Sequence, residues 1–249
     1  MIGVVVPAHD EEACLGACLA ALSAAAGHPA LRGEAVRIVI VLDACADGSR
    51  GVVERHAAAQ PDGDHDDGAR AIRLRGADVA VDCIEIDARN VGAARAAGAE
   101  RLLALGARWL AFTDADTLVS PSWLAAQLDL HARAGAEVVC GSIAVDDWSP
   151  HRQHAEHLRT HFALTYDDRD GHRHIHGANL GVAAPAYRRA GGFAPLACHE
   201  DVALVAALER TGARFAWSAA PRVVTSARLD ARARGGFGDT LLGVVAAAG

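Results

Sequence analysis

The stretch "AFTDADTLVSP" (residues 111–121) runs from apolar, strand-forming residues straight into two aspartates one residue apart. In an extended backbone residues i and i+2 point to the same side, so Asp114 and Asp116 can converge on one ligand, and a divalent cation is the natural candidate. A lone D-x-D after a strand is also a common turn, because Asp and Thr favour that position. The pattern around it decides the matter.

Upstream, residues 2–6 form a compact apolar run, followed by a Pro-Ala-His-Asp loop and an alanine-rich helical segment to about residue 26. The unit repeats: "VRIVIVL" (36–42) ends in the polar "DACADGS", and a helical segment follows at about 50–59. A third short strand is expected near 81–86, then a helix in "ARNVGAARAAGAERLLALGA" and a fourth strand in "RWLAFTDAD". Strands alternating with helices predict an α/β fold, a mainly parallel central sheet flanked by helices. The second half is less regular, with helices expected near 121–134, 151–165 and 201–211 and strands near 137–145 and 180–184. The stretch "QPDGDHDDGAR" (60–70) has no periodic apolar signal and reads as a solvated loop. No linker interrupts the chain, which predicts one domain over residues 1–249.

In open α/β sheets ligands bind outside the carboxyl ends of the strands. Three acid-bearing loops follow apolar runs directly: Asp10-Glu11-Glu12, Asp43 with Asp47, and Asp114 with Asp116. Carboxylates gathered at one edge repel one another unless something positive sits among them, and hard oxygen ligands suit Mg2+ or Mn2+. Such ions usually accompany a phosphate. Neither G-x-G-x-x-G nor a P-loop is present to hold one. A metal bridging a diphosphate to the second aspartate would stabilise a departing nucleotide.

Composition narrows the classes further. The 249 residues are 51% hydrophobic, ample for a core, and the formal net charge of -7 argues against a nucleic-acid partner. The six cysteines are scattered without zinc-type spacing, and Cys14 and Cys18 read as small buried hydrophobes. The N-terminus lacks a basic n-region and no run reaches the ~20 apolar residues of a membrane span, so a cytoplasmic protein is expected, with peripheral membrane contact through "TLLGVVAAAG" allowed.

Taken in order, five stretches resemble family 2 glycosyltransferases of the GT-A fold: "VVVPAHDEE", "VLDACADGS", "ARNVGAARAAG", "FTDADT" and "GANLGVAAPAYRRAGGFAPLACHEDVAL". The resemblance covers nearly all of the chain. It implies a single GT-A (Rossmann-like) domain, with 1–120 binding a nucleoside-diphosphate sugar and 121–249 binding a hydroxyl acceptor beneath a C-terminal lid or tail. It implies that Asp116 binds the metal, that Asp114 and Asp43 contact the nucleoside, and that Pro7, Ala8 and Glu11 line the nucleotide cleft, with Asn90 in the segment beside the donor. Asp201, the second acid of "HED", would be the base of an inverting transfer, with Glu200 as its rival. The chain departs from the pattern where Ala44 follows Asp43 in place of a second aspartate, and where no histidine follows His199 to serve as a further metal ligand. Because no membrane helices follow "SARLDARARGGFG", transfer of one sugar at a time is expected.

Other residues carry weaker signals. Arg89 and Arg95 are candidates to approach the phosphates, against a reading as surface arginines on a helix. Arg228, Arg232 and Arg234 lie in a tail that resembles the family's lid. His176, Asn179, His199 and Glu200 are candidate acceptor contacts. His154, His157 and His161 share helical spacing and His174 with His176 strand spacing, but the Glu of H-E-x-x-H is missing, which favours solvated or acceptor-lining side chains over zinc ligands. Trp123, Trp148 and Trp217 read as core or rim. Two other classes remain open: a nucleotidyltransferase, which needs a glycine-rich basic loop that "PAHDEEA" lacks, and a non-catalytic sugar-nucleotide-binding module, which needs no base.

Overall fold

A computed structural model describes residues 1–58, 72–74, 79–230 and 235–247. The expected loop at 60–70 lies outside the described residues. Strands β1 (Ile2–Ala8) and β2 (Val36–Asp43) are buried almost throughout, which is why both read as unbroken apolar runs. They pair in parallel, from Ile2 opposite Val36 to Ala8 opposite Leu42. Strand β3 (Ile72–Leu74) pairs antiparallel with β4 (Val79–Ile86), while β4 continues the parallel ladder beyond β2. On the other side β5 (Trp109–Phe112) joins β1 in parallel.

Helices α1 (Leu15–Ala26), α2 (Ser49–Ala58) and α3 (Val91–Ala104) make the crossovers. The carboxyl ends of β1, β2, β4 and β5 therefore lie along one edge, carrying the three acidic loops with them. Beyond β5 come β6 (Leu118–Val119), α4 (Trp123–Ala134), β7 (Val138–Ala144), α5 (Ala155–Thr165), β8 (Leu180–Ala183), α6 (Ala184–Ala190), α7 (Glu200–Arg210), β9 (Phe215–Val224) and α8 (Phe237–Ala247). Among the described residues the nine strands form one sheet in the order β3-β4-β2-β1-β5-β8-β7-β9-β6, and its longest ladders are parallel.

Strand β8 runs antiparallel to both β5 and β7 and so inserts between the two parallel parts. Its neighbour Asn179 locks that junction: Oδ1 accepts from Trp123 Nε1 at 2.8 Å, and Nδ2 donates to the carbonyls of Ser142 and Pro221, each at 2.7 Å. Trp123 is thus a core residue, as expected, and Trp148 packs in a small second cluster with Leu158, Ala227 and Leu241. The helix expected over 151–165 begins late. A 3-10 stretch over residues 149–154, kinked within by the positive φ of 48° at Arg152, precedes α5. No helix of the described residues is long and apolar enough to cross a membrane.

Candidate active site

The first two acidic loops clasp each other. Asp10 accepts from the N–H groups of Ala46 and Asp47, Glu12 accepts from Gly48 N–H at 3.0 Å, and the Glu12 N–H donates to Asp47 at 2.9 Å. These acids hold loop to loop and leave Glu11, whose own N–H donates to Ser49 Oγ, turned into the fold at 5% exposure. Pro7 and Ala8 sit at the end of β1, and Cys45 Sγ lies 3.3 Å from the Ala8 carbonyl. Beside them a cavity of 300 Å³ is lined by Leu42, Ala44, Cys45, Asp47, Arg50 and Glu85, the last two forming an ion pair.

Asp43 has a different environment from the one expected for a nucleoside contact. Its carboxylate accepts three successive backbone N–H groups, from Ala88 and Arg89 at 2.7 and 2.8 Å and from Asn90 at 2.7 Å. The side chain shapes the loop ahead of α3. Asn90 then caps α3, accepting from Ala93 N–H at 2.9 Å, and donates to the Pro195 carbonyl at 3.0 Å. Arg89 is exposed, with a positive φ of 47°.

The D-x-D aspartates do not share a strand face. Strand β5 ends at Phe112, and Thr117 N–H closes a turn onto the Asp114 carbonyl at 3.1 Å, so both aspartates lie in a turn beyond the strand and meet different arginines. Asp114 accepts from Arg95 Nη2 at 2.5 Å. Asp116 instead faces Arg228, whose Nη2 stands 2.9 Å from Asp116 and 2.5 Å from Glu11 Oε1, while Nη1 donates to Glu11 Oε2 at 2.8 Å. Burial pushes the Asp116 carboxyl up to about 6, against the lowering effect of Arg228.

Arg95 is no phosphate-seeking surface residue. It is 2% exposed and joins Asp114 to Glu200, the latter at 3.0 Å. This buried bridge ties the D-x-D turn to the first turn of α7. Burial raises the Glu200 carboxyl, and Arg95 opposes the rise. Asp201, next in the chain, is only partly buried; it accepts from Gly177 N–H at 2.7 Å and from Val202 N–H at 2.8 Å. Gly177 packs against Arg95 so closely that a Cβ there would lie 2.5 Å from Nη2. Glu200 is thus committed to the fold, whereas Asp201 is held at the surface of the same turn.

The candidate acceptor contacts separate. Asn179 is enclosed in the core at 1% exposure, its amide bonded to Trp123 and to the carbonyls of Ser142 and Pro221 and so turned away from an acceptor. His199 is exposed at the N-terminus of α7, with a positive φ of 59°. His176 bonds Tyr166 Oη at 2.9 Å, and burial, followed by the neighbouring His174 and His172, lowers its pKa to about 3, which makes it a neutral imidazole. The three histidines and Tyr166 stack, Tyr166 lying on His174 at 4.1 Å between ring centres. Among the described residues, the metal-ligand grouping found joins Asp10, Cys45 and Asp47 and includes no histidine. Tyr166 was not foreseen; its only sequence signal is its position ten residues before His176. Of the three tail arginines, Arg232 and Arg234 fall outside the described residues.

A search of curated proteins finds no match. Solved structures do match: a mannosyltransferase from Pyrobaculum calidifontis in complex with GDP-Man and Mn2+ is 19% identical, with a TM-score of 0.62 over 93% of this chain and 58% of that one. S. aureus TarS (1–349) in complex with UDP-GlcNAc is 13% identical, with a TM-score of 0.62 over 98% of this chain and 64% of that one. The chain thus spans about three fifths of the length of these solved relatives, and the likeness shows a shared GT-A fold. The model of the family described as "Glycosyl transferase family 2" matches residues 3–190, most of the sequence. With the fold and the order of the motifs in agreement, the chain belongs to glycosyl transferase family 2.

Proposed function

We propose that the chain moves one sugar, of the hexosyl kind, from a nucleoside-diphosphate sugar to a hydroxyl acceptor, with inversion at the anomeric carbon. The observation that carries this reading is the Arg95 bridge. It fixes the turn bearing Asp116 beside the turn bearing Asp201, so a charge-neutralising site and a partly exposed carboxylate share one edge of the sheet. Residues 1–120 hold the donor in this reading, and 121–249 the acceptor.

Glu11 and Asp116 present hard carboxylate oxygens on two sides of a single cationic nitrogen, a donor set that suits a divalent ion. Bound there, Mg2+ or Mn2+ supplies charge neutralisation to the departing diphosphate. The solved relatives with GDP-Man and Mn2+ or with UDP-GlcNAc support a donor of this class. Asp201 takes the proton of the acceptor hydroxyl, oriented by two backbone N–H groups, while Glu200 stays paired with Arg95. The neutral His176 and exposed His199 flank that position from the acceptor side.

Incubation with labelled sugar nucleotides and Mn2+ tests the reading. Glycosyl transfer releases a nucleoside diphosphate, nucleotidyl transfer releases pyrophosphate, and a binding module releases neither. Asp201→Asn should keep nucleotide affinity and lose transfer by roughly 10²–10⁴-fold. Transfer by this variant at the wild-type rate would remove Asp201 as the base.

A further inference from the structure

Arg228 lies far along the chain from both of its partners, yet it closes the centre of the site. One nitrogen, Nη2, bridges Glu11 after β1 and Asp116 after β5, at 2.5 and 2.9 Å. The second nitrogen completes a fork on Glu11 at 2.8 Å. Glu11 is 6% and Asp116 13% exposed at the side chain, and the Arg228 side chain 21%. This is no surface pair that solvent renders weak. A planar guanidinium matched to a carboxylate by two parallel hydrogen bonds is the strong form of such a contact.

An ion seated between these two acids competes with the guanidinium, which already engages both Glu11 oxygens and Asp116 Oδ2. A small divalent cation bridging Glu11 and Asp116 would draw their oxygens to about 2.0–2.1 Å, in the space that Nη2 fills. The arginine supplies one positive charge where an ion would supply two, so it balances the carboxylates only in part. That makes it a replaceable occupant.

We propose that Arg228 is a built-in stand-in for the divalent cation, latching the C-terminal tail to Glu11 and Asp116 until an ion displaces it. The inference rests on the reading of Asp116 as the metal-binding residue. Displacement frees the Arg228 guanidinium, while Thr225, whose N–H donates to the Ala144 carbonyl at 2.9 Å, and the buried Ala227 keep their own anchors. Cation binding and the docking of Arg228 are then linked, and each opposes the other by the same factor.

The test uses the full chain freed of metal and titrated with Mn2+ alone, followed by electron paramagnetic resonance of the unbound ion. Arg228→Gln should bind Mn2+ about tenfold or more tightly than wild type, because its competitor is gone. Arg228→Lys, which keeps the charge without the fork, should fall between them. Asp116→Asn should lose the binding. Thermal unfolding should show Arg228→Gln less stable than wild type without metal and regaining the difference when Mn2+ is added. If Asp116→Asn loses Mn2+ while both Arg228 variants match wild type, the latch is overturned and the metal reading stands. If Asp116→Asn binds as wild type does, the metal reading fails and the latch fails with it.

Discussion

Replacing Arg95 by methionine tests whether the two sides of the site are joined by buried charge. Met matches the volume of the stem but removes both ion pairs, leaving Glu200 with 8% side-chain exposure and no cation, while Asp114 at 35% can turn to water. Breaking a buried pair from one side costs about 3–5 kcal/mol. Arg95 Nη1 is itself buried without a hydrogen-bond partner among the described residues, a cost that the mutation removes, so the lower end is expected. At roughly 2–4 °C per kcal/mol for a chain of this size, the melting temperature should fall by about 6–12 °C.

The loss should depend on pH. Burial already raises the Glu200 carboxyl above its ordinary value, and removing Arg95 raises it further. A raised folded-state value favours the folded state at low pH and is lost as pH rises through it. The variant should therefore sit nearest to wild type in acid and furthest from it at neutral pH. Urea unfolding followed by circular dichroism, repeated in a Glu200→Met background, measures the coupling. A loss below about 1 kcal/mol, or one unchanged when Glu200 is already Met, would refute the buried-bridge argument.

Two further outcomes follow from other parts of the site. The Asp116 carboxyl stands at about 6 in the fold against 3.8 unfolded, so without metal its contribution favours folding below the unfolded value and is lost as pH rises through about 6; urea unfolding from pH 4 to 8 should show this slope in wild type and a flatter one in Asp116→Asn, and equal slopes would refute the assignment. Gly92, the second residue of α3, packs against the 194–196 segment, its N–H donating to the Leu196 carbonyl at 3.0 Å, and a Cβ would collide with the Ala194 carbonyl oxygen and lie 2.8 Å from Leu196 backbone atoms. Gly92→Ala should cost about 1–3 kcal/mol by overpacking, and a neutral result in thermal unfolding would show that the segment yields freely.

Much of the fold was legible because β1, β2 and β5 are buried on both faces, which leaves an apolar run that needs little interpretation. Strand β9 was not. Its inward positions alternate imperfectly, Pro221 cannot donate to a ladder, and the pairing with β7 shifts register between Gly141 and Ser142 so that residues 219–221 bulge out. Strands β3 and β6 are too short to carry a period. At the site, the acidic loops were found at the right edge, but a sequence does not say which acid meets water and which meets an arginine. Asp43 and Asn179 turn inward onto backbone groups, and Arg95 is enclosed because Gly177, Phe193 and the first turn of α7, all distant in sequence, close over it. Arg228 was visible as a charge in the tail, but pairing across 217 residues has no local signature.

The loop that Asp43 holds has a thermodynamic consequence. Three consecutive N–H groups point at one carboxylate, and the chain at Arg89 adopts a left-handed conformation that an unrestrained arginine seldom visits. Freezing a backbone residue costs about 1–2 kcal/mol in conformational entropy. For residues 88–90 that cost, roughly 3–6 kcal/mol, is met when the protein folds. A ligand arriving at this end of β2 therefore meets a pre-organised rim and loses none of its affinity to setting that loop in order.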